Sequence, residues 1–202
     1  MSHEDCAFCR KDEMKNKFPA NNGEPIDCER WIYEDQNCFA VLSPEQYTVG
    51  YTLLISSKHK VDITDSTISE DDFSGFFHGI RKVANLLKEF VQNDNNEKPE
   101  KIYVCILCDG IEHLHAHLIP RYQFTKADEI IYKHEFLNRD GAENVEKQIH
   151  DHHLGGFWYI AERERNFKGS DYGRKDDHNK AIFLAQLAKK IRAEQSKNFN
   201  EQ

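Results

Sequence analysis

The sequence predicts an α+β domain, an antiparallel sheet with one long helix packed on it, followed by a mainly helical C-terminal extension. Three observations carry that expectation. Short β-type runs broken by turn residues lie on either side of residues 69–94; an apolar period of three and four runs through 69–94; and beyond about residue 125 the chain turns charged and helix-like. At 202 residues the chain is long enough for one domain with a proper core plus an appendage. The expected division is 1–125 for the domain and 126–202 for the extension.

"RWIYEDQNCFAVLSP" reads as a hairpin, with apolar residues on both arms and a polar turn from Glu34 to Asn37. "GYTLLISSKH" follows as a third strand running into Lys58, His59 and Lys60. In "SEDDFSGFFHGIRKVANLLKEFVQND" the residues Phe73, Phe76, Phe77, Ile80, Val83, Ala84, Leu87 and Phe90 share one helix face. Ser69 is the expected N-cap, and Glu70, Asp71 and Asp72 suit the positive end of the helix dipole. After a polar linker with Pro99, "KIYVCILC" is β-branched and continuous, as in a buried strand, and the turn "DGIE" joins it to "HLHAHLIP" as an antiparallel hairpin. In the extension, "AENVEKQIHDHHLGG" reads as a short helix ended at Gly155. "KAIFLAQLAKKIRAEQ" reads as a longer one with Ile182, Phe183, Leu187 and Ile191 on one side. The irregular, charged stretch between them leaves the extension to pack on the domain or on a partner subunit.

With 35 acidic and 27 basic side chains, the net charge of −8 gives no general footprint for nucleic acid or an anionic membrane, so any anionic ligand needs a local site. The N-terminus has no apolar core of signal-peptide length, and no later run approaches the roughly 18 residues that span a bilayer. The expectation is a soluble cytoplasmic protein with no membrane partner. In a reducing compartment the six cysteines are expected to bind metal or be buried rather than to form disulfides.

The chemistry concentrates in "EHLHAHLIPRY". On a strand, His113, His115 and His117 line one side while Leu114, Ala116 and Leu118 face the core. Successive same-face residues sit about 6.6 Å apart and the outer two about 13 Å apart, so one metal does not take all three unless the strand bends. Three imidazoles could be polar decoration of a solvated face. Histidine is uncommon, however, and a row of them is costly if several are protonated, which favours a function.

"HLHAHLIP" resembles the His-x-His-x-His signature, with apolar x, of the histidine triad superfamily of nucleotide hydrolases and transferases. Cys6-Ala-Phe-Cys9, "CFAVLSPEQYTVGYTLLISSKH" and the long helix precede it in family order, so the resemblance covers residues 6 to about 122. It implies a catalytic triad of His113, His115 and His117. His115 would attack the α-phosphorus of a nucleotide ester, anhydride or phosphoramidate to give a nucleotidyl-histidine that water cleaves, and His117 would hold phosphate oxygens. The uridylyltransferase branch resembles His-Pro-His-x-Gln, whereas Ala116 and His117 stand here, so hydrolysis is expected rather than transfer.

Cys6 and Cys9 have zinc-knuckle spacing. Zinc-bearing members resemble this chain in joining such a pair to a histidine after the third strand and to the first triad histidine, which implies a structural zinc on Cys6, Cys9, His59 and His113. Cys105 and Cys108, three apart on a strand, fall on opposite faces and read as small buried residues. The resemblance also implies a homodimer. The family's ribose-binding acidic position corresponds to Val41, a departure. The implied substrate-facing set is Leu42 next to it, Asp109 in the turn before the triad, and Lys58 and Arg121 as phosphate contacts. Glu112 reads as solvated, and His150, His152 and His153 as a solvated helix end, with Trp158 in core or interface. Two other readings stay open: a nucleotide-binding protein on the same fold with vestigial turnover, which Val41 favours, and a metallohydrolase using the triad as ligands, which the strand spacing disfavours.

Overall fold

The structure, a computed structural model, describes residues 6–21, 23–108, 110–122 and 167–200. Five strands form one sheet: β3 (Trp31–Glu34), β4 (Cys38–Leu42), β5 (Thr52–Ser56), β6 (Lys101–Cys105) and β7 (His115–Arg121), in the order β3-β4-β5-β7-β6. Every neighbouring pair is antiparallel. A short ribbon of β1 (Lys17–Phe18) and β2 (Ile26–Asp27) precedes it, and the small helix α1 (Lys11–Asn16) leads into β1. The expected hairpin is present. Its turn is closed by the Asp35 carboxylate, which accepts the backbone N–H groups of Asn37 (2.8 Å) and Cys38 (2.9 Å).

Helix α2 (Glu70–Phe90) begins where the sequence places its cap: the Asp72 N–H donates to Ser69 Oγ at 3.1 Å. It buries Phe76, Ile80, Val83 and Leu87 against Cys38, Ala40, Leu42, Leu54, Ala116 and Leu118 of the sheet. Phe73 and Phe77 were expected on that face and are instead 40% and 38% exposed, packed on each other with ring centroids 4.8 Å apart. At about 100° per residue they lie about 60–100° around from the Phe76–Leu87 stripe, on its flank. The helix seats closely on β4 because Gly79 has no side chain: a Cβ there would lie 2.3 Å from Cys38 Sγ.

The apolar run 101–108, expected as one buried strand, is shorter and more open. β6 ends at Cys105 and, among the described residues, forms a sheet edge with a single neighbour, with Val104 42% exposed. Cys108 has left the strand with φ of 56°, so both Cys105 and Cys108 are partly exposed rather than buried. An uninterrupted apolar run does not distinguish a central strand from an edge strand followed by an apolar loop.

The last described element, α3 (Asp177–Asn200), joins the core that α2 builds. Its buried stripe is Ala181, Leu184, Ala188 and Ile191. Ile182 is 42% exposed, and Phe183 and Leu187 sit at the margin. Of the four residues expected on one side, Ile191 is fully buried as expected and Ile182 is the exposed one; Ala181, Leu184 and Ala188 complete the stripe. Side chains of α3 also cap the other sheet edge: Arg192 donates to the Trp31 carbonyl and Gln195 to the Ile32 carbonyl. The predicted helix at 142–156, with His150, His152 and His153, and Trp158 beyond it, lie outside the described residues. No described helix is long and apolar enough to cross a membrane.

Candidate active site and metal centre

The pleat divides β7 between two environments. Leu114, Ala116 and Leu118 enter the helix-side core, while His115 and His117 face the other side. Cross-strand register builds that second face as two rows, Phe39–Ile55–His115 and Val41–Leu53–His117–Cys105. It is largely covered: His115 is 5% exposed and His117 partly exposed. The cover is the N-terminal segment, whose 3-10 turn Ala7–Cys9 lays Phe8 edge-on against His115 (ring centroids 4.9 Å) and His113 (5.9 Å).

His113 is not on the strand. β7 begins at His115, and His113 occupies the preceding bend, its N–H donating to the Ile111 carbonyl at 2.7 Å. That bend turns its ring toward the thiols and away from its two neighbours. His113 Nδ1 lies 3.3 Å from Cys6 Sγ and 3.5 Å from Cys9 Sγ, and His59 Nδ1 lies 3.3 Å from Cys9 Sγ. All four ligand atoms fall within 4.8 Å of one another. Tetrahedral zinc with Zn–S of about 2.3 Å and Zn–N of about 2.0–2.1 Å separates its ligand atoms by about 3.3–3.8 Å, so the donor set and spacing fit that ion. The opposite nitrogen fits too: His113 Nε2–H donates to the Ser56 carbonyl at 2.9 Å, leaving Nδ1 with its lone pair toward the thiols. Burial and then the adjacent Cys6 push the Cys9 thiol up to about 11. A bound dication would supply the opposing charge that two neighbouring thiolates need.

His115 and His117 form a separate pair, ring centroids 4.9 Å apart. His115 Nδ1–H donates to the His113 carbonyl at 2.6 Å, which leaves Nε2 as the nitrogen with a lone pair. Burial lowers the His115 pKa below the ordinary histidine value. For His117, burial and then the neighbouring His115 push it down to about 4. Both rings are therefore neutral near pH 7. His117 Nδ1 is 2.6 Å from the Tyr51 hydroxyl, and the Tyr51 ring in turn stacks on Tyr47.

The remaining predicted residues divide. Val41 occupies the histidine side, fully buried, so the position expected to be acidic points the right way but offers no carboxylate. Leu42 faces the opposite side, fully buried under α2, and is not brought to the histidines. Lys58 is exposed and donates to Asp72 Oδ1 at 2.7 Å. Arg121 is 4% exposed at the end of β7, donates to the Tyr103 hydroxyl and lies 3.7 Å from Glu100, a structural ion pair. Asp109 lies outside the described residues. Sequence reasoning did not single out Phe8 or Tyr51. Phe8 had a signal, being enclosed between two candidate ligands; Tyr51 had only its alternation with Leu53 and Ile55, whose meaning depends on the β5–β7 register.

A five-stranded antiparallel sheet with a crossing helix on one face and a histidine row on the other is the architecture of a histidine triad α+β domain. Residues 27–124 match the family model described as HIT domain. The chain is similar to the "Protein hit" of Bacillus subtilis (strain 168), 29% identical over 126 residues that span 59% of this chain and 72% of that protein. Among solved structures, it is similar to a HIT family protein from Bacillus anthracis, with 24% identity, 67% of this chain and 96% of that one covered, and TM-score 0.45. It is also similar to a Zn-bound histidine triad family protein from Mycobacterium smegmatis, with 21% identity, coverage of 72% and 91%, and TM-score 0.45.

Proposed function

We propose that the protein is a hydrolase of nucleotidyl esters, anhydrides or phosphoramidates that works through a covalent histidine intermediate. His115 Nε2 donates its lone pair to the α-phosphorus, the N–P bond forms, and the bond from phosphorus to the leaving group breaks with its electron pair. Water then attacks the same phosphorus, displaces His115 Nε2 and gives the nucleoside monophosphate. His117 faces the phosphoryl oxygens. Splitting one displacement into two suits imidazole, which is nucleophilic when neutral and leaves readily.

The observation that carries this reading is the His115 Nδ1–H bond to the His113 carbonyl at 2.6 Å, which turns a buried, neutral Nε2 lone pair away from the protein backbone. The Cys6, Cys9, His59 and His113 cluster would hold a structural zinc; its place is to fasten the N-terminal segment and the His113 bend over the site. A cytoplasmic homodimer accords with the reading. Among the described residues β6 is a sheet edge that carries exposed Val104, with exposed Leu107 just beyond it, a surface suited to a second copy.

Turnover of adenosine 5′-phosphoramidate and of dinucleoside polyphosphates by wild type, lost in a folded His115→Ala, is the expected result. Undiminished turnover in that variant rules out the nucleophile. A second reading, a nucleotide-binding protein with vestigial turnover, is favoured by Val41, because the buried valine provides no carboxylate for a sugar hydroxyl. Tight nucleotide binding without turnover in wild type would select it.

A further inference from the structure

His115 and His117 are the same residue type, two apart, on one strand face and in ring contact, yet their Nδ1 atoms meet opposite partners. The His113 carbonyl, an obligate acceptor, faces His115 Nδ1, so that nitrogen carries the proton. The Tyr51 hydroxyl, 2.6 Å from His117 Nδ1, can donate. Of the two groups a phenol is the better proton donor and a neutral imidazole nitrogen the better acceptor.

We propose that Tyr51 is a positioning residue that holds His117 in the Nε2–H tautomer, so that two adjacent neutral histidines present opposite faces to the substrate: a lone pair from His115 and a hydrogen-bond donor from His117. The inference rests on the reading of His117 as the group facing phosphoryl oxygens.

Its chemical value follows from charge. A protonated His117 would need a counter-charge in a half-buried site. A neutral ring whose Nδ1 already accepts from a phenol can donate from Nε2 to an anionic oxygen without taking a proton from solvent. Burial agrees, because Tyr51 is 7% exposed and stacks on the His117 ring with centroids 6.0 Å apart and planes inclined by 24°. Tyr47 also stacks on Tyr51, with ring centroids 5.4 Å apart. The phenol is thus held in place by ring packing as well as by its hydroxyl, and the order Tyr47–Tyr51–His117–His115–Phe8 is a continuous row of rings.

The test uses the ¹⁵N-labelled full chain at pH 7 and long-range ¹H–¹⁵N correlation of the imidazole rings, with His117 assigned by the signals lost in His117→Gln. Wild type is expected to show His115 protonated on Nδ1 and His117 on Nε2. Tyr51→Phe keeps the ring and removes the hydroxyl; in it the His117 nitrogens are expected to move toward the averaged values of free tautomer exchange while His115 stays unchanged. With adenosine 5′-phosphoramidate as substrate, kcat is expected to fall about tenfold in Tyr51→Phe, the worth of one good hydrogen bond, with KM within about twofold. A wild-type His117 protonated on Nδ1, or His117 nitrogens that do not move in Tyr51→Phe, overturns the proposal. The wild-type pattern decides the tautomer even if the variant does not fold. Lack of turnover by wild type would count against the nucleotide hydrolase, and the tautomer result would still judge Tyr51.

Discussion

Gly79→Ala tests how closely α2 is seated on the sheet. A methyl at this position would lie 2.3 Å from Cys38 Sγ and 3.5 Å from a Leu54 methyl, and Cys38 and Leu54 are both fully buried. Ordinary contact needs more than 3.4 Å, so the helix or the sulfur must move by more than 1 Å. Overpacking of this kind costs about 1–3 kcal/mol, against which replacing glycine by alanine inside a helix returns about 0.8–1 kcal/mol. The expected net loss is up to about 2 kcal/mol, read as a drop in the urea midpoint or as a fall in Tm of up to about 8 °C for a chain of this size. The decisive comparison is a double-mutant cycle with Cys38→Ala. Removing the sulfur clears the obstructed volume, so the double variant is expected to be more stable than the sum of the singles by at least about 1 kcal/mol. Additivity within about 0.5 kcal/mol would mean that the helix does not rest on Cys38 as described.

Metal analysis of tag-free protein is expected to give one zinc per chain, lost in Cys9→Ser; chelation should lower Tm, and less than substoichiometric zinc in wild type, unchanged in Cys9→Ser, would remove the metal centre. The pH dependence of stability follows from His117, whose folded value of about 4 lies below its unfolded value of about 6.5. Between those values the unfolded chain binds the extra proton, so this site's contribution falls as pH drops from about 6.5 to about 4 and is constant above. Urea midpoints at pH 7 and pH 5 for wild type and His117→Gln measure it: the wild type should lose more stability than the variant, and equal losses would contradict the half-buried, neutral ring. The same shift predicts that turnover does not decline between pH 7.5 and pH 6.5 through protonation of His117.

Much of this arrangement was legible before any coordinates. The β3–β4 turn, the Ser69 cap and the core face of α2, apart from Phe73 and Phe77, follow from local periodicity and capping chemistry, which need no knowledge of distant residues. Alternation alone sent Leu114, Ala116 and Leu118 to the core and left His115 and His117 opposite. The departures arise where the deciding contact is remote in sequence. His113 leaves the strand because its backbone turns at Ile111 and its ring meets thiols more than a hundred residues away. Leu42 and Val41 are adjacent and equally apolar, and only the sheet shows which one shares a face with His117. In α3 the small residues Ala181 and Ala188 share the buried stripe with Leu184 and Ile191 while the larger Ile182 is exposed, a choice that depends on what the helix packs against. Tyr51 acquires meaning only once β5 is laid beside β7.

The central claim is that His115 is the nucleophile, and the most direct measurement is rapid acid- or denaturant-quench of the wild type with a nucleotide substrate, followed by intact-mass and peptide analysis. The account predicts a transient mass increase equal to one nucleotidyl group, located on His115 and absent in His115→Ala. Steady turnover with no adduct at any time point, or an adduct located on a residue other than His115, would contradict it.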